Sequence, residues 1–348
     1  FAGLPGFGLP LDLHTVLRYN IYVNSNRKRT VHGMFSEIIH EIEQHTRIII
    51  HRHTKPDGDA IGSQVGLAEL IRENFPKKEV YMTGDAPGRY GFIAGSTPDA
   101  VPDSAYDGAL AIILDTSAPA LISDDRWRTA ARTARIDHHI FLEKIADVEA
   151  VDNTYESCCG LIAEMARSSG WRLTPAAASA IYTGMVTDSG RFRYSSTNAR
   201  TFELAAYLMS QPIDTSAIYA ELYTDDWRMI RARASFVMKV RFTEHGAGYI
   251  YTTREELAAS GLDSFTVSRG MVGVMSDVRG VNVWVNFTET DAGVLAEIRS
   301  NRYNINPIAV KYGGGGHAMA SGATLPDRET AMAMLGDLDA VAKGDGNE

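Results

Sequence analysis

The sequence predicts an α/β protein. The expected architecture is a parallel sheet with helices on both faces, then a helical connector and a smaller C-terminal α/β domain. Three observations carry this. Between about 35 and 200, short β-branched runs alternate with longer stretches of helical period, as in a parallel sheet wrapped by helices. A helix-like stretch at 213–240 interrupts the alternation, and strand-like runs resume beyond it. The 348 residues leave room for two domains.

Taken in order, residues 1–33 show no clear period and are read as an appendage; their basic run Arg27-Lys28-Arg29 is read as ordinary solvated surface. Residues 34–212 form the first domain, with strands expected at 47–51, 79–83, 110–114 and 133–136. Its helices are expected at 60–74, 157–169, 175–186 and 199–210. The connector 213–240 ends in the basic cluster Arg228, Arg231, Arg233. Residues 241–342 form the second domain, with strands at 248–253, 281–288 and 294–299, and the polar tail 343–348 frays.

Composition narrows the function classes. A net charge of −9 argues against a protein that grips long duplex nucleic acid through its phosphates. It leaves a small anionic substrate open. No apolar run approaches the ~20 residues that span a membrane, and the apolar stretch 1–10 lacks the basic start of a signal peptide. The two cysteines, the adjacent Cys158 and Cys159, make no disulfide framework and fit a reducing cytoplasm.

The chemistry concentrates at the ends of the apolar runs. His53, Asp57 and Asp59 crowd into seven residues after Ile48-Ile49-Ile50, around Pro56 and Gly58. Two such carboxylates repel unless a cation sits between them, so the segment reads as half of a metal site at a strand's C-terminal edge. An Asp-Gly turn with a helix cap explains this segment equally well on its own. Three further segments shift the balance: Asp115 after Ala111–Leu114, Asp137-His138-His139 after Arg135-Ile136, and Asp188 after Gly184–Thr187. So many acids and imidazoles at one edge fit two metal ions sharing a bridging carboxylate, a pair that clamps an in-line phosphoryl displacement. In the second domain Gly313-Gly314-Gly315-Gly316 would let the backbone approach a ligand, its N–H groups free to cradle an anion. A plain flexible loop is the alternative there.

Five ordered motifs resemble the DHH phosphoesterases: HxxxPDGDAxGS at 53–63, LDTS at 114–117, DHH at 137–139, TDSGRF at 187–192, and Gly313–His317 followed by Ala320-Ser321-Gly322. The last resembles the associated C-terminal domain of the first type, and together the motifs span about residues 35–340. The resemblance implies that His53 and Asp57 hold one metal, that Asp59, His138 and Asp188 hold the other, and that Asp115 bridges them. Asp137 would orient a ligand histidine, and His139 would face the substrate. Asp115, His138, His139 and Asp188 would thus carry catalysis, while Arg299, Ser300, Gly314, Gly315, Gly316 and His317 would bind the substrate's phosphates.

Two divalent ions are implied, with Mn²⁺ preferred by the mixed His and carboxylate set and Mg²⁺ possible. Within the family the plan looks most like the nanoRNase/pAp phosphatases. These use metal-activated water to hydrolyse short RNA oligonucleotides and 3′-phosphoadenosine 5′-phosphate. Phosphodiesterases of cyclic di-AMP or pApA are the rival, and a nucleotide-binding sensor without turnover is a third reading. The expected partners are short RNA and small nucleotides in the cytoplasm, with no membrane; a homodimer is compatible. Two departures from the family pattern stand out: Ile140-Phe141-Leu142 follows DHH where an Asn is common, and Ala296-Glu297-Ile298 precedes Arg299 where a more apolar, Ser-containing stretch is usual.

Overall fold

The structure, a computed structural model, describes residues 33–344. The expected appendage, save Gly33, and the end of the tail lie outside the described residues. The chain divides into two compact units between Thr224 and Asp225, inside the stretch expected to connect them.

In the first unit, helix α1 (33–44) leads into strand β1 (Arg47–His51), α2 (Gly58–Asn74) and β2 (Glu79–Met82). Strands β3 (Leu110–Leu114), β4 (Arg132–Asp137) and β5 (Val148–Val151) follow, then α3 (Cys158–Ser169), α4 (Pro175–Asp188), α5 (Ala199–Leu208) and α6 (Thr215–Tyr223). The strands form one parallel sheet in the order β2-β1-β3-β4-β5. β5 was not expected; its Val-Glu-Ala-Val alternates buried and half-buried and is too short to stand out as a run. The all-buried runs of β1 and β3 reflect a sheet covered on both sides. One face, with Ile48, Ile50, Ile112 and Ile136, packs on residues of α1 to α5. The other, with Ile49, Ala111 and Ile113, packs on Tyr106, Ile122 and Trp127 from short helical turns and loops.

α2 and α4 pack at very short range. A Cβ on Gly62 would lie 2.5 Å from the Ala180 carbonyl, and one on Gly184 would lie 3.1 Å from the Gly58 carbonyl. Small residues here are therefore obligatory, and the approach they permit puts the start of α2 beside the end of α4. Behind the sheet, Asp124 accepts from Thr83 Oγ1 at 2.7 Å and from Arg126 Nη2 at 2.7 Å. Asp124→Ala is expected to cost on the order of 1–3 kcal/mol, read from urea unfolding at pH 7; a loss indistinguishable from zero would remove this network from the account of stability.

In the second unit, α7 (Trp227–Lys239) precedes β6 (Arg241–Phe242), β7 (Gly248–Thr252) and α8 (Arg254–Ser260). Strands β8 (Val283–Thr290) and β9 (Gly293–Ser300), α9 (Asn306–Lys311), β10 (Gly315–Gly316), β11 (Ala320–Leu325) and α10 (Arg328–Lys343) complete it. The sheet order is β10-β11-β9-β8-β7-β6, antiparallel except for β7 with β8. One face packs on α10 through Met334 and Leu338, and the other on Phe236, Val267 and Met275. The expected single helical connector is two helices, interrupted at 224–226, where Asp226 caps α7 by accepting from the Met229 N–H.

Candidate metal centre and active site

The strand order makes the site. β1 leads to β2 on one side, while β3 lies on its other side, so their following loops diverge and leave a crevice at the carboxyl ends. β1 delivers His53 and Asp57 there, β3 delivers Asp115, and β4 ends in Asp137-His138-His139. Asp59 sits in the first turn of α2, and Asp188 is the last residue of α4. Asp188 therefore arrives from a helix rather than from a strand end. The close α2–α4 contact carries it to the strand edge.

Three groupings of potential ligands result: His53 with Asp57 and Asp115, Asp59 with His138 and Asp188, and Asp115 with His138 and His139. His53 Nε2 lies 3.8 Å from Asp57 Oδ1 and 3.5 Å from Asp115 Oδ2. His138 Nε2 lies 3.8 Å from Asp59 Oδ2 and 3.4 Å from both Asp115 Oδ1 and Asp188 Oδ2. These separations exceed normal hydrogen bonds. The two Asp115 oxygens face different histidines, which suits a carboxylate shared by two ions.

The electrostatics ask for cations. Burial, with Asp115 and Asp57 adding to it against His138, pushes the Asp188 carboxyl up to about 7. Asp59 is likewise driven well above its usual range by burial, then by Asp115 and Asp188. Burial works against a charged His53, but the Asp115 and Asp57 carboxylates outweigh it and raise the imidazole to about 11. Asp115 Oδ1 is buried without a hydrogen-bond partner. An orphaned carboxylate oxygen at the junction of two acid-rich groups fits divalent ions in the expected positions.

The backbone is held in costly conformations around the cluster. Among the described residues, the non-glycine residues at left-handed φ are Lys55, Asp115, Arg191 and Phe192, all within the motif segments. Asp85 holds Lys55 in place, its Oδ2 accepting from the Lys55 N–H at 2.8 Å, while the Thr54 N–H donates to the Leu121 carbonyl at 2.7 Å. Asp85 carries no motif signal in the sequence; only an acid after an apolar strand could have hinted at it. Asp59 accepts from the N–H groups of Cys158 and Cys159 at 2.7 and 2.8 Å, at the positive end of α3. The cysteine thiols are buried; their backbone does the positioning.

Asp137 accepts from His139 Nδ1 at 2.7 Å and pairs with the buried Arg135. It thus orients the His139 imidazole rather than that of His138. Burial opposes the Asp137 charge, but His139 and Arg135 together hold its carboxyl down at about 2. Asp137→Asn is expected to lower turnover about 10- to 100-fold with little change in metal stoichiometry. Loss of bound metal instead would reassign Asp137.

The proposed phosphate contacts gather at one end of the second sheet. Arg299 lies opposite Ala320 in the β9–β11 register, beside the exposed His317 at the hairpin turn. Arg299 Nη1 is 3.1 Å from Glu297. Ser300 is buried, its Oγ donating to the Asn282 carbonyl and accepting from the Arg302 and Tyr303 N–H groups, so the hydroxyl holds a turn. The glycine run is not a free cradle. The Gly313, Gly314 and His317 N–H groups donate to Val310, Ala309 and Ala320 carbonyls, and Gly315-Gly316 pairs with Ser321-Gly322. A Cβ on Gly314 would lie 2.1 Å from the Gly322 carbonyl, so close strand approach explains that glycine.

Comparison with known proteins agrees with this geometry. The DHH family N-terminal domain matches residues 47–185, and the DHHA1 domain matches residues 262–344. The bifunctional oligoribonuclease and PAP phosphatase NrnA of Bacillus subtilis is 33% identical over 89% of this chain and 99% of that protein. The cyclic-di-AMP phosphodiesterase GdpP of Geobacillus thermodenitrificans is 25% identical over 86% of this chain and 47% of its own length. An exopolyphosphatase-related protein from Bacteroides fragilis superposes with a TM-score of 0.82 at 25% identity, covering 91% of this chain and 98% of that one. The chain belongs to the DHH family of phosphoesterases, with an N-terminal DHH domain followed by a DHHA1 domain.

Proposed function

We propose that this protein is a two-metal phosphoesterase hydrolysing short oligoribonucleotides and 3′-phosphoadenosine 5′-phosphate. The observation that carries the reading is the meeting of two acid–imidazole triads at one buried carboxylate, Asp115. The similarity to the Bacillus subtilis protein over nearly the whole of both chains supports the substrate class. His53, Asp57 and Asp115 would hold one divalent ion; Asp59, His138 and Asp188, with Asp115, would hold the other. Bound there, the ions supply the charge that makes water acidic enough to attack phosphorus and that offsets charge on the phosphoryl oxygens. His139, fixed through Nδ1 by Asp137, keeps Nε2 for the non-bridging oxygens. In the second unit, Arg299 and His317 would bind phosphate, Arg299 by leaving Glu297. Ser300 would act only by shaping that turn.

The mixed nitrogen and oxygen donors favour Mn²⁺ over Mg²⁺. Among the described residues no helix is long and apolar enough to cross a membrane. The two thiols suit a reducing compartment, so the reading places the protein in the cytoplasm. The test is product analysis with Mn²⁺ on pApA, longer 5′-labelled RNAs, 3′-phosphoadenosine 5′-phosphate and cyclic di-AMP. Cleavage of the first, the shortest RNAs and the third is expected. Preference for cyclic di-AMP would keep the metal site and overturn the substrate. Tight nucleotide binding without turnover of any of them would make the protein a sensor.

A further inference from the structure

A cavity of about 560 Å³ opens on the second unit, over strands β9 and β11. Its walls include Ser264, Phe265 and Ser268 on one side and Glu297, Gly314 and Gly322 on the other. The volume is that of a site for a small organic ligand. Phe265 is 62% exposed, so part of its ring is open to a stacking partner. The Arg269 guanidinium lies 5.8 Å from that ring, and Arg299 lies 3.1 Å from Glu297. Opposite Glu297 in the sheet register is Gly322, where an added Cβ would sit 3.7 Å from the Glu297 Cδ, so the carboxylate meets bare backbone there. The cavity therefore combines an aromatic face, one carboxylate and two guanidinium groups at its margin.

We infer that this cavity is a nucleobase subsite and that Glu297 makes it prefer guanine. The inference rests on the reading of the chain as a nucleotide phosphoesterase and specifies which base it grips. A carboxylate only accepts hydrogen bonds. Guanine offers it two parallel donors, N1–H and the N2 amine, matched to the two carboxylate oxygens. Adenine and cytosine each offer one amine beside a ring nitrogen that repels the carboxylate, and uracil offers one N–H flanked by carbonyls. Stacking on Phe265 serves all four bases alike. With the base on Phe265, Arg269 and Arg299 are at hand for its phosphate.

The test is calorimetric titration of the full-length, metal-free protein with GMP, AMP, CMP and UMP. GMP is expected to bind at least about tenfold more tightly than AMP, in line with a bidentate base contact. Glu297→Gln should abolish that preference, bringing GMP and AMP to the same affinity, and Phe265→Ala should weaken all four. Equal affinity for GMP and AMP in the unmodified protein, no nucleotide binding at all, or a preference that survives Glu297→Gln would each overturn the inference. The unfolding midpoint of each variant checks that it is folded, and the wild-type preference is read without any substitution. Mn²⁺-dependent hydrolysis of 3′-phosphoadenosine 5′-phosphate, measured in parallel, separates the two readings. Hydrolysis without base preference sinks the subsite alone; guanine-selective binding without hydrolysis sinks the proposed function alone.

Discussion

Asp115→Asn is expected to lower turnover by on the order of 10³-fold, the largest effect of any single substitution in the site. One oxygen faces His53 and the other faces His138, so the substitution removes charge from both ion positions at once. Asparagine tolerates the left-handed φ of 52° that Asp115 adopts. It also keeps the volume, so the loss reads chemistry rather than collapse. Asp57→Asn touches only one triad and should cost less. The check is steady-state turnover at saturating Mn²⁺, with bound manganese counted by elemental analysis. If Asp115→Asn loses less than tenfold while two ions remain bound, the bridging role is wrong.

Adding Mn²⁺ to the metal-free protein should raise its unfolding midpoint and reverse its dependence on pH. An ion at about 100 times its Kd stabilises by ~2.7 kcal/mol, worth about 5–10 °C for a unit of this size. The sign of the pH effect follows from two groups. The Asp188 carboxyl is raised to about 7 in the folded chain, so the folded state holds a proton that the unfolded one releases, and stability falls as pH rises towards 7. The His53 imidazole is raised to about 11, so its contribution is complete below its unfolded value near 6.5 and is lost as pH climbs through the alkaline range. Without metal, both groups make the protein less stable at pH 8 than at pH 6. With Mn²⁺, binding releases those protons, and stability should rise over the same interval. Scanning calorimetry at both pH values, with and without Mn²⁺, decides it. A midpoint unmoved by millimolar Mn²⁺ would remove the metal centre.

That acids and imidazoles gather at one edge was legible in the sequence because several of them follow buried runs, whereas their grouping came from the family resemblance. Ile48–Ile50 and Ala111–Leu114 are continuous apolar segments, and a strand's end fixes where the next side chains emerge. Asp188 was singled out through its motif, although its run ends a helix. β5, β6, β10 and β11 were missed because each is short or small-residue, with no period to detect. The glycine run misled for a related reason. Glycine signals close approach, but not whether the approaching group is a ligand or, as here for Gly314, the neighbouring strand.

By itself, then, the sequence determined the α/β class, the ordered motifs and the set of acids and imidazoles that the fold gathers at one edge. It did so because burial and like-charge repulsion act on residue type and local spacing. Only the tertiary structure decided which residues meet. Asp85 reaches Lys55 across 30 positions, and Asp59 reaches Cys158 across 99. Asp137 turned out to serve His139, and the Ser300 hydroxyl is spent on a turn. Such contacts depend on strand order and helix approach, which are set by packing of the whole core rather than by any segment's own pattern.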